Sequence, residues 1–417
     1  MKVLMCNKFL FEDGGPERYI LELSRMLEKH GNQVAYFAMQ HSENIKTEYS
    51  KYFVCQVSLG NPKEGSLLEK MKAGLRIIYS TEAKRKMEKL ISEQKPDLAH
   101  LHNIYHQISP SILPVLHQKG IPVVMSLHDY KLICPNYRLM TQGHICEKCN
   151  STKYYQAVFH KCVKDSFSAS LLNCLEMYVH KFLKLYEKNV DLFISPSLFM
   201  KEKLSEFGLN KSRIFYLPPW VKEVKSSPSY TYSDFILYFG KITKEKGVEI
   251  LIKAMEKIVT KDGQLVIVGE GEEKDRLQNY VCQNGIGNVK FMGFMERTKL
   301  NKLIQESRFV VLPSQWYENS PSTIYESFAL GKPVIGSRIG GIPELIEDGV
   351  NGLLFEPANV EDLAEKIHYL YHHPLLAQKM GISARKKVEE RYSEEEYYKK
   401  LLGIYDNLIK NGGKSYV

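Results

Sequence analysis

The feature that most constrains the fold is a pattern of short apolar segments separated by amphipathic stretches, and this pattern occurs twice. The segments cover residues 2–6, 34–39, 97–101, 122–127 and 191–195 in the first half, and 235–239, 264–268, 288–291, 309–312 and 333–336 in the second. Short apolar strands that alternate with helices are typical of a parallel sheet covered on both faces. The sequence therefore predicts an α/β fold with two doubly wound, Rossmann-like domains, and it places the ligand site in the cleft between them.

A polar stretch at residues 226–229 separates the two patterns and is interpreted as a linker. We therefore expect a first domain over residues 1–225, a second over 226–395, and a C-terminal helix over 396–417 that packs back on the first. The length of 417 residues suits two domains, since domains commonly have roughly 100–200 residues. Residues 130–165 contain few long apolar runs and are expected to form a cysteine-rich insertion in the first domain.

The composition of the chain limits where the protein is expected to be located and which partners it is expected to bind. No apolar run reaches the about 18 residues of a membrane-spanning helix, and the first residues lack the pattern of a signal peptide, so a cytoplasmic location is expected. The net charge of +9 favours anionic partners. The basic amphipathic stretch at residues 68–92 is interpreted either as a solvated helix face or as a helix that rests peripherally on the anionic inner face of a membrane. Its basic residues include Lys84, Arg85, Lys86 and Lys89.

Two loops at predicted strand ends carry candidate anion-binding groups. Gly14-Gly15 leads into a helix, where glycine lets the backbone approach a ligand and the helix N-terminus attracts an anion, although a simple tight turn fits equally well. The loop lacks the Gly-x-Gly-x-x-Gly pattern, so a nicotinamide cofactor is not supported. Lys241 and Lys246 follow the first strand of the second unit, and such a pair of cations suits either a diphosphate or a charged surface loop.

The most informative segment is residues 314–326, which follows a predicted strand. Ser320 is predicted to cap a helix whose first residue is Pro321. The N–H groups of Ser322, Thr323 and Ile324 would then point forward without helical partners. Such a helix end is a phosphate site by its geometry.

Two glutamates flank the tip of this predicted helix. Glu318 precedes the helix, and Glu326 lies about one and a half turns inside it. A carboxylate beside a bound phosphate is unfavourable unless it accepts hydrogen bonds. Both glutamates are therefore expected to bind sugar hydroxyls, and the alternative is that they are two solvated acids.

These motifs together resemble one protein family. They are the two glutamates with seven residues between them, Gly-Lys-Pro-Val-Ile-Gly at 331–336, Gly-Gly-Ile-Pro-Glu at 340–344, Asn-Gly-Leu-Leu-Phe at 351–355, Val-Ile-Val-Gly-Glu-Gly at 266–271, and Gly14-Gly15. The combination resembles the retaining glycosyltransferases of family 4, including those of bacterial capsule and surface-polysaccharide synthesis, over nearly the whole chain. The resemblance implies the two-domain GT-B fold and transfer of a sugar from a nucleotide sugar with retention at the anomeric carbon. It implies no catalytic metal or other cofactor.

The resemblance also assigns donor-binding roles. It implies that Glu326 holds the nucleotide ribose, that Glu318 contacts hydroxyls of the donor sugar and that Lys246 pairs with the diphosphate. Lys241 stands where the family usually has arginine, so the charge is kept and the bidentate geometry is lost. The remaining donor-binding positions are Gly14 and Gly15 in the first domain, Gly269, Gly271 and the backbone at Phe294 around the base, Ser322 and Thr323 around the phosphate, and Ser320 in the sugar pocket.

In the first domain the candidate residues follow two predicted strand ends. The resemblance implies that His128 touches the donor sugar and phosphate, and Asp129 is expected to orient its imidazole. His102, Asn103 and His106 follow the other strand end and are expected to line the acceptor side.

The sequence therefore predicts a hexosyltransferase that moves a sugar from a UDP- or GDP-linked donor to a saccharide acceptor. The acceptor is expected to be linked to a lipid diphosphate, which would anchor it in the membrane. No nucleic-acid partner is expected. Two alternatives remain open. One is a nucleotide-sugar epimerase on the same fold, and the other is a non-catalytic, zinc-stapled protein that binds saccharides.

Four cysteines fall within the predicted insertion: Cys134, Cys146, Cys149 and Cys162. Their spacing fits a closed four-thiolate zinc site, in which protein ligands fill every position and no water is activated. His160 is an alternative ligand to one of the thiols. Free thiols are the other interpretation, since a reducing compartment disfavours disulfides. Such a zinc ion would order the insertion and would take no part in catalysis.

Overall fold

The computed structural model describes residues 1–12, 14–56, 67–222, 228, 230, 233–258 and 263–412, with the backbone alone over 67–72. The first domain is built on a six-stranded parallel sheet of order β2-β1-β3-β4-β7-β8, and a short antiparallel hairpin, β5–β6, lies apart from it. The strands are β1 (Lys2–Cys6), β2 (Gln33–Phe37), β3 (Leu98–Leu101), β4 (Val123–Ser126), β5 (Met140–Thr141), β6 (His144–Ile145), β7 (Leu192–Ser195) and β8 (Ile214–Tyr216). The helices are α1 (Gly15–Lys29), α2 (Leu67–Ile78), α3 (Thr81–Gln94), α4 (Leu113–Gln118), α5 (Gln156–Phe159), α6 (Phe167–Phe182), α7 (Leu185–Asn189) and α8 (Leu198–Glu206).

The second domain repeats this architecture with a parallel sheet of order β11-β10-β9-β12-β13-β14. Its strands are β9 (Phe235–Phe239), β10 (Gln264–Val268), β11 (Val289–Gly293), β12 (Val310–Leu312), β13 (Val334–Ser337) and β14 (Gly352–Phe355). Its helices are α9 (Val248–Lys257), α10 (Lys274–Gln283), α11 (Arg297–Glu306), α12 (Ser322–Ala329), α13 (Ile342–Leu345), α14 (Val360–His372) and α15 (Pro374–Arg391), and the last helix of the described chain is α16 (Glu394–Lys410).

All ten predicted strands are present, with ends that move by at most two residues. The predicted class of two doubly wound α/β domains is therefore confirmed. Four further strands, β5, β6, β8 and β14, are absent from the prediction, because two to four residues between loops give no periodic signal. The predicted domain boundary between residues 225 and 226 lies outside the described residues.

The last helix returns to the first domain, as the fold prediction required. Tyr397, Leu401 and Tyr405 of α16 are buried in one cluster with Val3 and Met5 of β1. Strand β1 is buried on both faces, which explains why it is apolar throughout. The first and second domains are thus held together by a helix as well as across the cleft.

Contacts across the cleft join the second domain to the first. The carboxylate of Glu344 accepts the N–H groups of Leu198 (2.8 Å) and Phe199 (2.5 Å) at the N-terminus of α8. The Tyr317 hydroxyl donates to Glu147 Oε1 in the insertion (2.8 Å). These bonds hold the ends of the two sheets face to face, so the strand ends of both domains open into one space.

The basic stretch at residues 68–92 forms two helices, α2 and α3, instead of one. The apolar residues Ala83, Met87 and Leu90 of α3 are buried in the core of the first domain. The interpretation of α3 as a helix that rests on a membrane is therefore wrong, because its apolar face is already covered. Within the described part of the chain, no helix has both the length and the apolar character needed to cross a bilayer.

Candidate functional site

The loop between β12 and α12 forms the centre of the site. The helix begins at Ser322, with Pro321 as the preceding residue, so Ser320 is not the helix cap as predicted. The Ser320 hydroxyl instead lies 2.8 Å from the Tyr325 hydroxyl, so its hydrogen-bond partner is a side chain and not a backbone N–H of the helix. The Ile324 N–H donates to the Pro321 carbonyl (3.1 Å). The prediction that this N–H group points forward without a partner is therefore wrong. Among the described residues, none accepts the N–H groups of Ser322 and Thr323, so two donors remain for an anion.

Glu318 is buried behind this helix end and is ion-paired. Its Oε1 accepts a hydrogen bond from Lys246 Nζ (2.6 Å) and another from Ser314 Oγ (2.6 Å). Burial opposes ionisation, but Lys246 and the hydroxyl outweigh it and hold the pKa of Glu318 below its usual value. Lys246 also lies 5.2 Å from the centre of the Trp316 ring. The carboxylate therefore fixes the ammonium group at the cavity wall.

Glu326 stands between two arginines that the sequence analysis missed. Its Oε2 lies 2.8 Å from Arg297 Nη1, and its Oε1 lies 3.7 Å from Arg18 Nη1. Arg297 begins α11, whereas Arg18 belongs to α1 of the first domain. The only signal for Arg18 was its place one turn after Gly14-Gly15, and Arg297 had none.

The first domain contributes a column of histidines. His128 Nε2 is 3.1 Å from His102 Nδ1, and His102 stacks on His100 with ring centres 4.4 Å apart. His100 is fixed by Ser126 Oγ (2.7 Å) and the Tyr405 hydroxyl (2.5 Å). Burial lowers the pKa of His128 to about 4 and that of His100 to about 3. The column is therefore neutral near neutral pH, and His128 is its cavity-lining end.

Asp129 does not orient His128, contrary to the prediction. Its Oδ1 accepts hydrogen bonds from the Tyr105 hydroxyl (3.0 Å) and the Lys131 N–H (2.9 Å). These bonds turn the carboxylate into the following loop and away from the imidazole. The second domain instead reaches the His128 carbonyl through Asn319 Nδ2 (2.9 Å).

The other acceptor-side candidates are packed into the structure beside the cavity. Asn103 is buried, and its N–H donates to Asn7 Oδ1 (3.1 Å). His106 Nε2 lies 3.2 Å from Glu176 Oε2, which also accepts a hydrogen bond from Lys131 Nζ (2.8 Å). Burial opposes ionisation of Glu176, but Lys131 lowers the pKa of its carboxyl to about 2.

Gly269 and Gly271 are required by close backbone packing. A Cβ on Gly269 would lie 1.9 Å from the Gly240 carbonyl oxygen, and one on Gly271 would lie 2.2 Å from that of Ile242. The two glycines thus let the β9 and β10 loops touch, and neither lines the cavity. Phe294 is exposed, and its N–H donates to Glu270 Oε1 (3.1 Å). Gly14, just before α1, also lies outside the cavity lining.

The two domains enclose a cavity of about 510 Å³, a size that suits a small ligand. It brings together nine predicted residues: Gly15, His128, Lys241, Lys246, Glu318, Ser320, Ser322, Thr323 and Glu326. Residues that the sequence analysis did not single out also line it, among them Arg18, Tyr19, Trp220, Arg297 and Asn301. The wall therefore combines cations, the three carboxylates of Glu22, Glu318 and Glu326, and aromatic rings from both domains.

The four cysteines lie in the insertion, away from this cavity. Burial raises the pKa of Cys134 to about 11, and it raises the pKa of Cys149 further, with Cys134, Cys162 and Cys146 adding to the effect. All four are free thiols, and His160 Nε2 is 3.1 Å from Lys148 Nζ. Within the described residues, no group of three or more His, Cys, Asp and Glu side chains is arranged to hold a metal ion. The zinc site stays a prediction.

Two parallel-sheet domains that face each other across a charged cleft define the GT-B class of glycosyltransferase folds. The sequence matches the family described as Glycosyltransferase Family 4 over residues 13–223 and that described as Glycosyl transferases group 1 over residues 222–387. The chain belongs to glycosyltransferase family 4.

Known relatives agree with this assignment, and solved structures share the fold. An uncharacterized glycosyltransferase of Methanocaldococcus jannaschii is 30% identical over 54% of this chain and 62% of its own length, so the match spans less than two thirds of that relative. A 42.6 kDa protein in the cps region of Klebsiella pneumoniae is 24% identical over 88% of this chain and 96% of its own. Sucrose-phosphate synthase from Thermosynechococcus elongatus has a TM-score of 0.71 at 19% identity, covering 98% and 99% of the two chains. Anabaena HepE in complex with UDP-glucose gives 0.65 at 18% identity over 98% and 100%.

Proposed function

We propose that the protein is a retaining glycosyltransferase that moves a sugar from a nucleotide-diphosphate sugar to a saccharide acceptor in polysaccharide synthesis. The observation that carries the proposal is the ion pair of Lys246 and Glu318 beside the open N–H groups of Ser322 and Thr323. A cation and two backbone donors at one helix end suit a diphosphate. The protein in the Klebsiella cps region and the amylovoran biosynthesis glycosyltransferase AmsK of Erwinia amylovora, 25% identical over 64% of this chain and 68% of its own length, support the polysaccharide context.

The geometry suggests how the donor lies. The diphosphate would accept hydrogen bonds from Ser322 and Thr323 and contact Lys246 and Lys241, all of which line the cavity. Glu326 would then face the ribose hydroxyls, because its carboxylate is the next acceptor along α12. Arg18 and Arg297 hold that carboxylate from either side. Arg18 ties the ribose end of the site to the first domain, so donor binding and the closed arrangement of the cleft would reinforce each other.

The reaction would be a same-face displacement. The diphosphate leaves while the acceptor hydroxyl attacks the anomeric carbon from the same side, and a leaving phosphate oxygen takes the hydroxyl proton. Glu318 is a poor candidate for a covalent nucleophile, because Lys246 and Ser314 already occupy one of its oxygens. Its role would be to hold Lys246 and to accept hydroxyl groups of the sugar. The protein thus contributes position and charge stabilisation of the leaving diphosphate.

His128 completes the sugar side from the first domain. Its imidazole is neutral, and His102 fixes the ring through Nε2. The remaining Nδ1 atom would contact the donor sugar or its phosphate. Asn319, which holds the His128 carbonyl, couples this contact to the loop that carries Glu318.

Nucleotide-sugar hydrolysis and nucleotide-dependent thermal stabilisation across a panel of UDP- and GDP-linked sugars test the proposal. A transferase should be stabilised by one class of donor and should hydrolyse it slowly without an acceptor. Recovery of an epimerised sugar would show the epimerase instead. Stabilisation by saccharides with none by any nucleotide would favour the non-catalytic binding protein. The Glu318→Gln variant separates binding from chemistry, since it should lose hydrolysis while it keeps most of the nucleotide-dependent thermal shift.

A further inference from the structure

Helix α6 carries a row of large apolar side chains on its outer side. Five residues at helical spacing are exposed and form one stripe, which we call the apolar stripe: Phe167, Leu171, Leu175, Tyr178 and Phe182. Phe182 is 86% exposed. Single exposed apolar residues are ordinary, but a continuous row of this kind on one helix marks an interaction surface.

The inner face of α6 is the more polar one. Ser170, Asn173, Glu176 and His180 are buried there together with Met177. Glu176 and Asn173 both accept hydrogen bonds from Lys131, and His180 Nε2 donates to the Ile78 carbonyl (2.7 Å). These specific bonds fix the rotation of the helix about its axis. The stripe therefore has to face outward, because rotating the helix to bury it would break the buried ion pair of Glu176 and Lys131.

Neighbouring residues extend the stripe, and exposed lysines lie at both ends of the helix that carries it. Tyr155 and Phe159 of α5, which packs against α6, are also exposed, the latter to 77%. Exposed lysines lie at both ends of α6: Lys153, Lys161 and Lys164 before it, and Lys184 and Lys188 after it. Of the nearby acids, Glu176 is buried, Glu187 is paired with Lys181 (2.7 Å), and Asp165 is exposed.

We propose that the apolar stripe of α6 docks on the surface of an anionic lipid bilayer. Aromatic and leucine side chains flanked by lysines match the boundary between acyl chains and acidic headgroups. A second copy of the chain is a poorer occupant, because it would bring the same lysines, on a chain of net charge +9, against one another.

Helix α6, which carries the apolar stripe, lies close to the acceptor side of the cleft. Glu176 of α6 contacts Lys131 and His106, which follow the ends of β4 and β3. A bilayer under α6 would thus place that edge of the cleft near the headgroups. A saccharide attached to a membrane lipid would then meet the cleft as the acceptor. This identification of the acceptor rests on the proposed function, whereas the docking itself does not.

Sedimentation of the full chain with lipid vesicles tests the docking. The probes are vesicles of phosphatidylcholine alone and of phosphatidylcholine with phosphatidylglycerol in equal parts. We expect binding to the mixed vesicles only. The triple variant Leu171→Gln, Leu175→Gln, Phe182→Gln should reduce the bound-to-free ratio about tenfold or more, because three apolar side chains no longer enter the bilayer. The triple variant Lys164→Glu, Lys184→Glu, Lys188→Glu should abolish the dependence on phosphatidylglycerol.

The matched control is Leu375→Gln with Ile382→Gln, which removes exposed apolar residues from α15 of the second domain and should not change binding. Equal weakening by the control, or no sedimentation of the wild-type chain with the mixed vesicles, would overturn the proposal. A dimer in solution that the α6 variant dissociates, without vesicle binding, would assign the stripe to a second copy. Nucleotide-dependent thermal stabilisation, measured on every variant, reports the donor site separately, so failure of the docking and failure of the proposed function give different results.

Discussion

The two sides of the cleft use charge in opposite ways. On the donor side, Lys246, Glu318 and Glu326 reach the cavity wall from the second domain. On the acceptor side, the ion pair of Lys131 and Glu176 is buried within the first domain, and burial keeps His128 at the cavity wall neutral near neutral pH. Charge therefore serves the ligand on one side and the fold on the other. Substitutions on the donor side should change activity, whereas those on the acceptor side should first change stability.

The largest expected effect is on the acceptor side. Lys131→Met should lower the free energy of unfolding by about 3–5 kcal/mol, since it leaves the Glu176 carboxylate buried without its cation. Urea denaturation measures this change. The double variant Lys131→Met, Glu176→Gln is the control and should recover part of the loss, because no charge is then left buried. A silent Lys131→Met would contradict the structural role of the pair.

On the donor side, Glu318→Gln should lower turnover about 10²–10³-fold, as expected for a group that acts on charge in the transition state. The amide keeps the size of the side chain and a bond to Ser314 but loses the charge that pairs with Lys246, so urea denaturation should show a smaller loss than for Lys131→Met. Steady-state kinetics with the preferred donor and Glu272→Gln, an exposed glutamate of the same domain, as control give the comparison. Wild-type turnover in Glu318→Gln would remove this residue from the mechanism.

The cysteine cluster extends the comparison to the insertion. Asn136 connects two of the four cysteines, because its Oδ1 accepts a hydrogen bond from the Cys134 thiol (2.9 Å) and its Nδ2 donates to the Cys162 carbonyl (3.3 Å). We expect about one zinc per chain by elemental analysis. Cys146→Ser should lose the metal and about 2–3 kcal/mol of unfolding free energy.

The exposed Cys282→Ser is the control for this prediction and should change neither quantity. Zinc-free protein of full stability and activity would leave four free thiols as the correct interpretation. The result would also decide how the insertion is ordered, because its contact with the second domain through Glu147 and Tyr317 does not involve a thiol.

A smaller effect is expected at the ribose end. Glu326→Ala should weaken nucleotide binding by about 1.5–3 kcal/mol, the range for a hydrogen bond to a charged acceptor. Isothermal titration with the nucleotide diphosphate measures this loss, and Glu306→Ala on α11 serves as control. An unchanged affinity would mean that Glu326 acts only through Arg18 and Arg297, and not on the nucleotide.

The sequence predicted the donor side better than the acceptor side, and the reason is physical. The end of a strand at Leu312, followed by Pro321 and a helix start at Ser322, leaves a contiguous signal. In contrast, Arg18 and Arg297 meet Glu326 only through the tertiary fold. Helical periodicity likewise does not tell whether an apolar face is covered, so it predicts a membrane role for α3 and none for α6. The turn of Asp129 toward Tyr105 depends on a loop bond of the same non-local kind.

The smallest predicted effect is the pH dependence of the histidine column. The pKa of His128 is lowered to about 4 and that of His100 to about 3 by burial. An unfolded histidine titrates near about 6.5. Below that pH the histidines bind protons in the unfolded chain but stay neutral in the folded one. The stability from each histidine is therefore complete above about pH 6.5 and is lost as the pH falls toward the folded pKa.

When the pH falls from about 7.5 to about 5.5, each of these histidines should therefore lower the free energy of unfolding by about 1 kcal/mol. The His128→Gln variant should lose one histidine's contribution to this pH dependence. Urea denaturation at the two pH values measures the difference. Glu318, on the donor side, has a lowered pKa, so its stabilisation is present above its unfolded pKa of about 4.3 and is lost only at more acidic pH. Glu318→Gln should consequently leave the dependence in this window unchanged. An equal change in both variants would show that the two sides of the cleft do not divide their charge as the structure indicates.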